Sequence, residues 1–190
     1  MSTRLFLAAG LIPLPWFLLW STIAGLLAPG YDALSQHASE LTLQPGAPHT
    51  LLNLAAVGSG AAFVVFAIGL WLESNKRFAL GASCWLLFGI AMISNGLWPM
   101  GSRLHGMYAL GVVNLIAPAF SLLESPRLRD NKIAFGVTAL ASVCGVIYLW
   151  LNLVGADPQN LRGLTQRIFS LINSLWPATI ALLLLRHGRE

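Results

Sequence analysis

Six apolar runs, near 5–28, 50–72, 78–99, 105–123, 133–154 and 164–185, divide this chain along almost its whole length. Each is long enough to cross the hydrocarbon core of a bilayer, which takes about 20 residues as a helix. Water is absent there, so backbone N–H and C=O groups must pair within each segment, and the runs are expected to be helices. The breaks between them carry turn chemistry: Pro29-Gly30, Pro45-Gly46, Ser74-Asn75, Pro99-Met100-Gly101, Ser125-Pro126 and Ala156-Asp157-Pro158. Only 9% of the residues are charged, against about 25% in a soluble domain, which leaves too little polar surface to face water all round.

The expectation is an all-α, polytopic membrane protein in which residues 1–190 form a single domain. Short connections make neighbouring spans antiparallel, giving an up-and-down bundle of six transmembrane helices. The first run, Leu5 to Ala28, is too long for the apolar core of a signal peptide and reads as a span. Pro13, Pro15, Pro118 and Pro177 fall inside spans and are expected to kink them. Cys84 and Cys144 also lie within apolar runs, as packing residues and not as a disulfide.

Orientation follows from Lys and Arg. With the N-terminus cytoplasmic, the inner segments hold Arg4, Lys76, Arg77, Arg127, Arg129, Lys132, Arg186 and Arg189, and the outer ones hold only Arg103, Arg162 and Arg167. That asymmetry places both termini in the cytoplasm, with the bacterial inner membrane as the expected location. The basic residues are scattered through short loops, so nucleic acid is not expected as a partner.

Strongly polar side chains then gather at the outer end. Asn53, Asn95, His105, Asn152, Gln166 and Arg167 stand near outer helix ends, while Asn114 and Asn173 lie nearer the middle. Gln166, Arg167, Ser170, Asn173 and Ser174 recur at three- and four-residue spacing and share one helix face. Above them runs the loop GYDALSQHASELTLQPGAPHT, residues 30–50, with two of the seven acids and two of the four histidines but no Lys or Arg. From Ala33 to Thr42 this loop is expected to form a short extracytoplasmic amphipathic helix between the first two spans, with Asp32 as its N-cap and Tyr31 as an interfacial anchor.

Tyr31-Asp32, Ser35-Gln36 and Ser39-Glu40-Leu41 in this loop, with Gly96-Leu97-Trp98-Pro99 and His105-Gly106, resemble the pattern of a bacterial family catalogued as domain of unknown function 998 (DUF998). The resemblance runs loosely over most of the chain. It implies a small six-span membrane protein and supplies no established chemistry. Where members often carry an acid after the Gly-x-x-Pro turn, this chain has Met100-Gly101-Ser102.

Three functional readings fit. The first is an extracytoplasmic polar pocket that binds a lipid headgroup or small amphiphile, with Asp32, Glu40, Asn95, Arg167 and Ser170 as ligand-binding residues. The second is a membrane-embedded hydrolase or transferase acting on a lipid. There Ser35 or Ser39 is the nucleophile, His105 the base and Asp32 or Glu40 its orienting acid, although no GxSxG elbow is present. The third is an accessory subunit, or a homo-oligomer, assembled through small-residue runs such as Gly58-Ser59-Gly60-Ala61-Ala62 and Gly81-Ala82-Ser83. Membrane lipids are the expected partners. No closely spaced His pair marks a metal site, so neither metal nor cofactor is expected.

Overall fold

A computed structural model describes residues 3–105 and 112–186. Among them are seven α-helices and no strand: α1 (Thr3–Ala8), α2 (Pro13–Leu27), α3 (Ala47–Ser74), α4 (Leu80–Leu97), α5 (Ala117–Glu124), α6 (Lys132–Leu153) and α7 (Arg162–Arg186). Five stretches are helical, long and apolar enough to cross a membrane: Thr3–Leu27, Ala47–Ser74, Leu80–Leu97, Lys132–Leu153 and Arg162–Arg186. The chain is therefore a multi-pass membrane protein. Arg4 Nη2 donates to the Leu185 carbonyl at 3.1 Å, so the starts of α1 and the end of α7 lie together at one end of the bundle. The 30–46 loop lies at the other.

The fourth expected span differs from the pattern. Its first part, residues 106–111, lies outside the described residues, as do Gly106 of the resembling motif and Arg189. The rest is a 3-10 turn, Val112–Leu115, followed by the eight-residue α5. Pro118 does not kink a long helix; it stands in the first turn of α5, where its missing N–H would be unpaired in any case. His105 Nδ1 donates to the Trp98 carbonyl at 2.8 Å, beside the C-terminus of α4. Glu124 accepts from Leu80 N and Gly81 N at 2.7 and 3.0 Å, at the N-terminus of α4. The described part of this run, Val112–Leu115 and α5, lies against α4.

The first span is also broken. A 3-10 turn, Ala9–Leu11, separates α1 from α2, which starts on Pro13. Gly10 in this break lies against the Phe66 ring and the Pro177 carbonyl, where an added Cβ would come within 2.7 and 2.9 Å. Pro177 lies inside the continuous helix α7, so the break in the first span meets α3 and α7 at one crossing point.

Lipid tails are as apolar as leucine, so packing and hydrogen bonds hold such a bundle together more than exclusion of water does. Here the centre is aromatic. Trp85 stacks on Trp176 at 5.1 Å and on Phe63 at 5.4 Å, and Phe66 meets Trp176 edge-on at 6.4 Å. All four rings are fully buried. The Trp176 indole N–H donates to Thr138 Oγ1 at 2.8 Å, tying α7 to α6. Thr138→Val keeps the shape but leaves that buried donor unpaired. Thermal unfolding in detergent is expected to show a loss of about 1–2 kcal/mol.

The small-residue runs are used within the chain. Gly60 and Gly89 bring the backbones of α3 and α4 together, with an added Cβ at Gly60 falling 2.6 Å from the Gly89 carbonyl. Gly58 seats the Trp16 indole, and Gly81 lies against Ser121. Cys84 and Cys144 are free. On α6, large side chains such as Ile133, Phe135, Val143, Ile147 and Trp150 face outward, as lipid-facing positions should.

Candidate functional site

The 30–46 loop does not form the single amphipathic helix over Ala33–Thr42. Asp32 Oδ1 accepts from Leu34 N at 3.0 Å and Oδ2 from the Ser35 hydroxyl at 2.5 Å. These bonds close a tight turn instead of propagating a helix, an alternative that Asp and Ser side chains regularly offer the backbone. His37 is then extended, with φ −65° and ψ 148°, and a 3-10 turn runs from Ala38 to Leu43. Glu40 stabilises the start of that turn by accepting from His37 N at 2.9 Å, as the acid of a capping box does.

The start of α7 holds the loop down. Arg162 Nε donates to the Ser35 carbonyl at 2.8 Å, and its Nη2 pairs with Glu40 Oε1 at 3.1 Å. Gln166 Oε1 accepts from Ala38 N at 2.8 Å, and Leu164 N donates to the Leu34 carbonyl at 2.9 Å. Arg167 does most. Its Nη1 donates to the carbonyls of Ala33, Gln36 and Gly163 at 2.6, 3.0 and 2.8 Å. Nη2 donates to the Tyr31 hydroxyl, and the guanidinium carbon sits 5.8 Å from the Tyr31 ring centre. Gly163 allows the close approach, since a Cβ there would strike the Gln36 carbonyl. On its underside the loop buries Ala38 and Leu41 against Ala24, Ala28, Leu52 and Ala55.

The local electrostatics follow from these contacts. The Ser35 hydroxyl and then the Leu34 N–H hold Asp32 below the usual carboxylate range. Burial pushes the Tyr31 phenol up, partly offset by Arg167. Burial and then the charge of Arg162 push His37 down, so its neutral form is favoured. Its Nε2 is buried with no hydrogen-bond partner among the described residues.

Beneath the loop, between α2 and α7, lies a cavity of about 430 Å³. Phe17, Leu18 and Leu26 line it from α2, and Ile168 and Leu171 from α7. At the loop end it meets Tyr31, Gln166 and Arg167; further down it meets Ser21, Thr22, Ser170 and Ser174. The described ion pairs are Arg127–Glu73, Arg129–Asp130 and Arg162–Glu40. Among the described residues, therefore, no carboxylate is paired with the Arg167 charge at the mouth of this groove.

Of the residues singled out in the sequence, Arg167 and Ser170 line the groove. Asp32 and Ser35 are bonded to each other in the loop, and Glu40 is paired with Arg162. Ser39 donates to Met100 Sδ at 3.7 Å, linking the loop to the 98–105 turn. His105 is buried in that turn on the Trp98 carbonyl, and Asn95 on α4 lies 3.9 Å from Met92 Sδ. The structure thus gathers the loop with the start of α7, and holds His105 and Asn95 at the end of α4. Sequence reasoning passed over the second wall of the groove, α2, and the loop-holding roles of Arg162 and Gln166. Arg162 had a signal: it is the one basic residue on the connection between the last two apolar runs, facing an acidic, Lys- and Arg-free loop.

No curated protein and no solved structure matches the chain. The model of the family described as "Protein of unknown function (DUF998)" matches residues 11–183. That span takes in α2 to α6 and all but the last turn of α7, together with the loop and the groove, and the chain belongs to the DUF998 family.

Proposed function

We propose that this protein binds an anionic amphiphile from the extracytoplasmic leaflet in the groove between α2 and α7. The observation that carries the reading is Arg167: a cation with no carboxylate partner among the described residues, at the mouth of an apolar groove. Its Nη1 is committed to carbonyls of the loop and of α7, yet a guanidinium has five N–H donors, and Nε and the second Nη2 hydrogen are left for an anionic group. The shape is also suitable. The α7 wall runs from Leu164 to Ser174, about 15 Å at 1.5 Å per residue, or one leaflet of a hydrocarbon core about 30 Å thick. A headgroup at Arg167 then leaves one chain lying along α2. The scarcity of Lys and Arg at this end supports an outward-facing mouth.

Native mass spectrometry of the purified protein tests this. Bound lipid is expected, enriched in anionic over zwitterionic headgroups. Ser174→Phe fills the lower groove without touching the loop contacts and should lower lipid occupancy at least about fivefold, with the unfolding temperature unchanged. Equal occupancy in wild type and Ser174→Phe would defeat the proposal. Release of fatty acid or headgroup from the bound lipid, lost in Ser35→Ala, would replace it with an enzyme; absence of any retained lipid would favour an accessory subunit.

A further inference from the structure

The groove carries hydroxyls at a depth where hydrocarbon offers them nothing. Ser21 behaves as a helix hydroxyl in lipid commonly does, turning back onto the Phe17 carbonyl at 2.6 Å. Thr179, on the same helix as Ser170, does likewise with the Leu175 carbonyl at 2.9 Å. Thr22, Ser170 and Ser174 do not: they line the cavity and their hydroxyls make no hydrogen bond to the described residues. An unpaired hydroxyl in hydrocarbon is costly. Ser170 and Ser174 are four residues apart and so lie on one face of α7, about one and two turns deeper than Arg167, with Thr22 lining the same groove from α2.

We infer that the ligand is an ester-linked glycerolipid, whose ester carbonyls accept from these hydroxyls while its phosphate faces Arg167. This rests on the amphiphile-binding function above and narrows its chemical class. Below the phosphate of such a lipid, the only hydrogen-bond acceptors are the two ester groups, one glycerol unit further into the leaflet. The groove repeats that order: cation at the mouth, hydroxyls next, apolar wall throughout. An isoprenyl phosphate or a dialkyl ether lipid has the same charge and chain but no ester carbonyl to accept.

The test is a native mass-spectrometry titration of the full chain with four probes: dioleoyl phosphatidylglycerol, its dialkyl ether analogue, a long-chain isoprenyl phosphate and dioleoyl phosphatidylcholine. The ester phosphatidylglycerol is expected to bind about tenfold tighter than the ether, from two hydrogen bonds of ordinary strength. Ser170→Ala combined with Ser174→Ala should bring the ester lipid down to the ether's affinity and leave the ether's own affinity unchanged. Equal binding of ester and ether to the wild type, or tighter binding of the isoprenyl phosphate, overturns the inference while leaving an anionic-amphiphile site in place. If phosphatidylcholine binds as tightly as phosphatidylglycerol, the amphiphile function itself fails.

Discussion

Gly60→Leu is expected to abolish accumulation of folded protein, the largest effect foreseen for any single substitution in this chain. At Gly60 an added Cβ would lie 2.6 Å from the Gly89 carbonyl and 2.7 Å from Ile93 N, and at Gly89 the reciprocal Cβ would lie 2.8 Å from the Gly60 carbonyl. These neighbours are backbone atoms of a facing helix, so no side chain can swing away. Even Gly60→Ala forces α3 and α4 apart and should cost about 2 kcal/mol, in the range for overpacking a filled interior. Loss of close contact matters more here than in water, because packing is what favours helix association in lipid. Gly136 in α6 is the control. Among the described residues nothing lies within 4 Å of its added Cβ, so Gly136→Ala should change stability by no more than about 0.5 kcal/mol. Size-exclusion profiles and tryptophan-monitored thermal unfolding in one detergent compare the three variants; equal behaviour of Gly60→Ala and Gly136→Ala would refute the packing argument.

The second large effect is Arg167→Ala. One side chain holds the carbonyls of Ala33, Gln36 and Gly163 and the Tyr31 hydroxyl. Hydrogen bonds to a charged donor contribute about 1.5–3 kcal/mol each when they are not additive-limited, and several here share one nitrogen, so a net loss of about 3 kcal/mol is expected. Arg167→Lys should recover less than half, because an ammonium cannot reproduce the planar fork. The loop should also become cleavable: limited proteolysis between Gly30 and Gly46 should accelerate in Arg167→Ala. Arg162→Ala, which removes a half-exposed ion pair and one carbonyl contact, should cost only about 1 kcal/mol. If Arg167→Ala loses lipid but keeps stability and protease resistance, its main role is ligand contact and not loop attachment.

These contacts also explain why parts of the site were legible in the sequence and parts were not. Five of the six apolar runs announced helices fit to cross a membrane, because crossing hydrocarbon needs length and apolarity, both one-dimensional properties. The shared face of Arg167, Ser170 and Ser174 followed from helical spacing, and all three line the groove. The loop's helix did not follow. Its pattern of polar and apolar positions suits an amphipathic helix, but Asp32 satisfies Leu34 N and the Ser35 hydroxyl locally, and contacts from Arg162, Gln166 and Arg167 fix the carbonyls and amide that a helix would have used. Those side chains lie more than 120 residues away in the chain, and no local propensity encodes them.

Polarity misled in one respect that only the packing resolves. Asn95 and His105 are polar and stand at the same end of the bundle, which grouped them with Arg167. In the fold they belong to the end of α4, where His105 closes the turn on Trp98. The groove instead takes its second wall from α2, whose Phe17, Leu18 and Leu26 look like any lipid-facing residues in a linear reading. By itself the sequence determined the class of solvent, the helical state of five of the six long runs and the charge imbalance between the two ends, since each depends on the composition of a segment against its surroundings. Which helices stand side by side, how the loop is tied down and where a groove is left between α2 and α7 were decided by tertiary structure, because they depend on the fit between residues far apart in the chain.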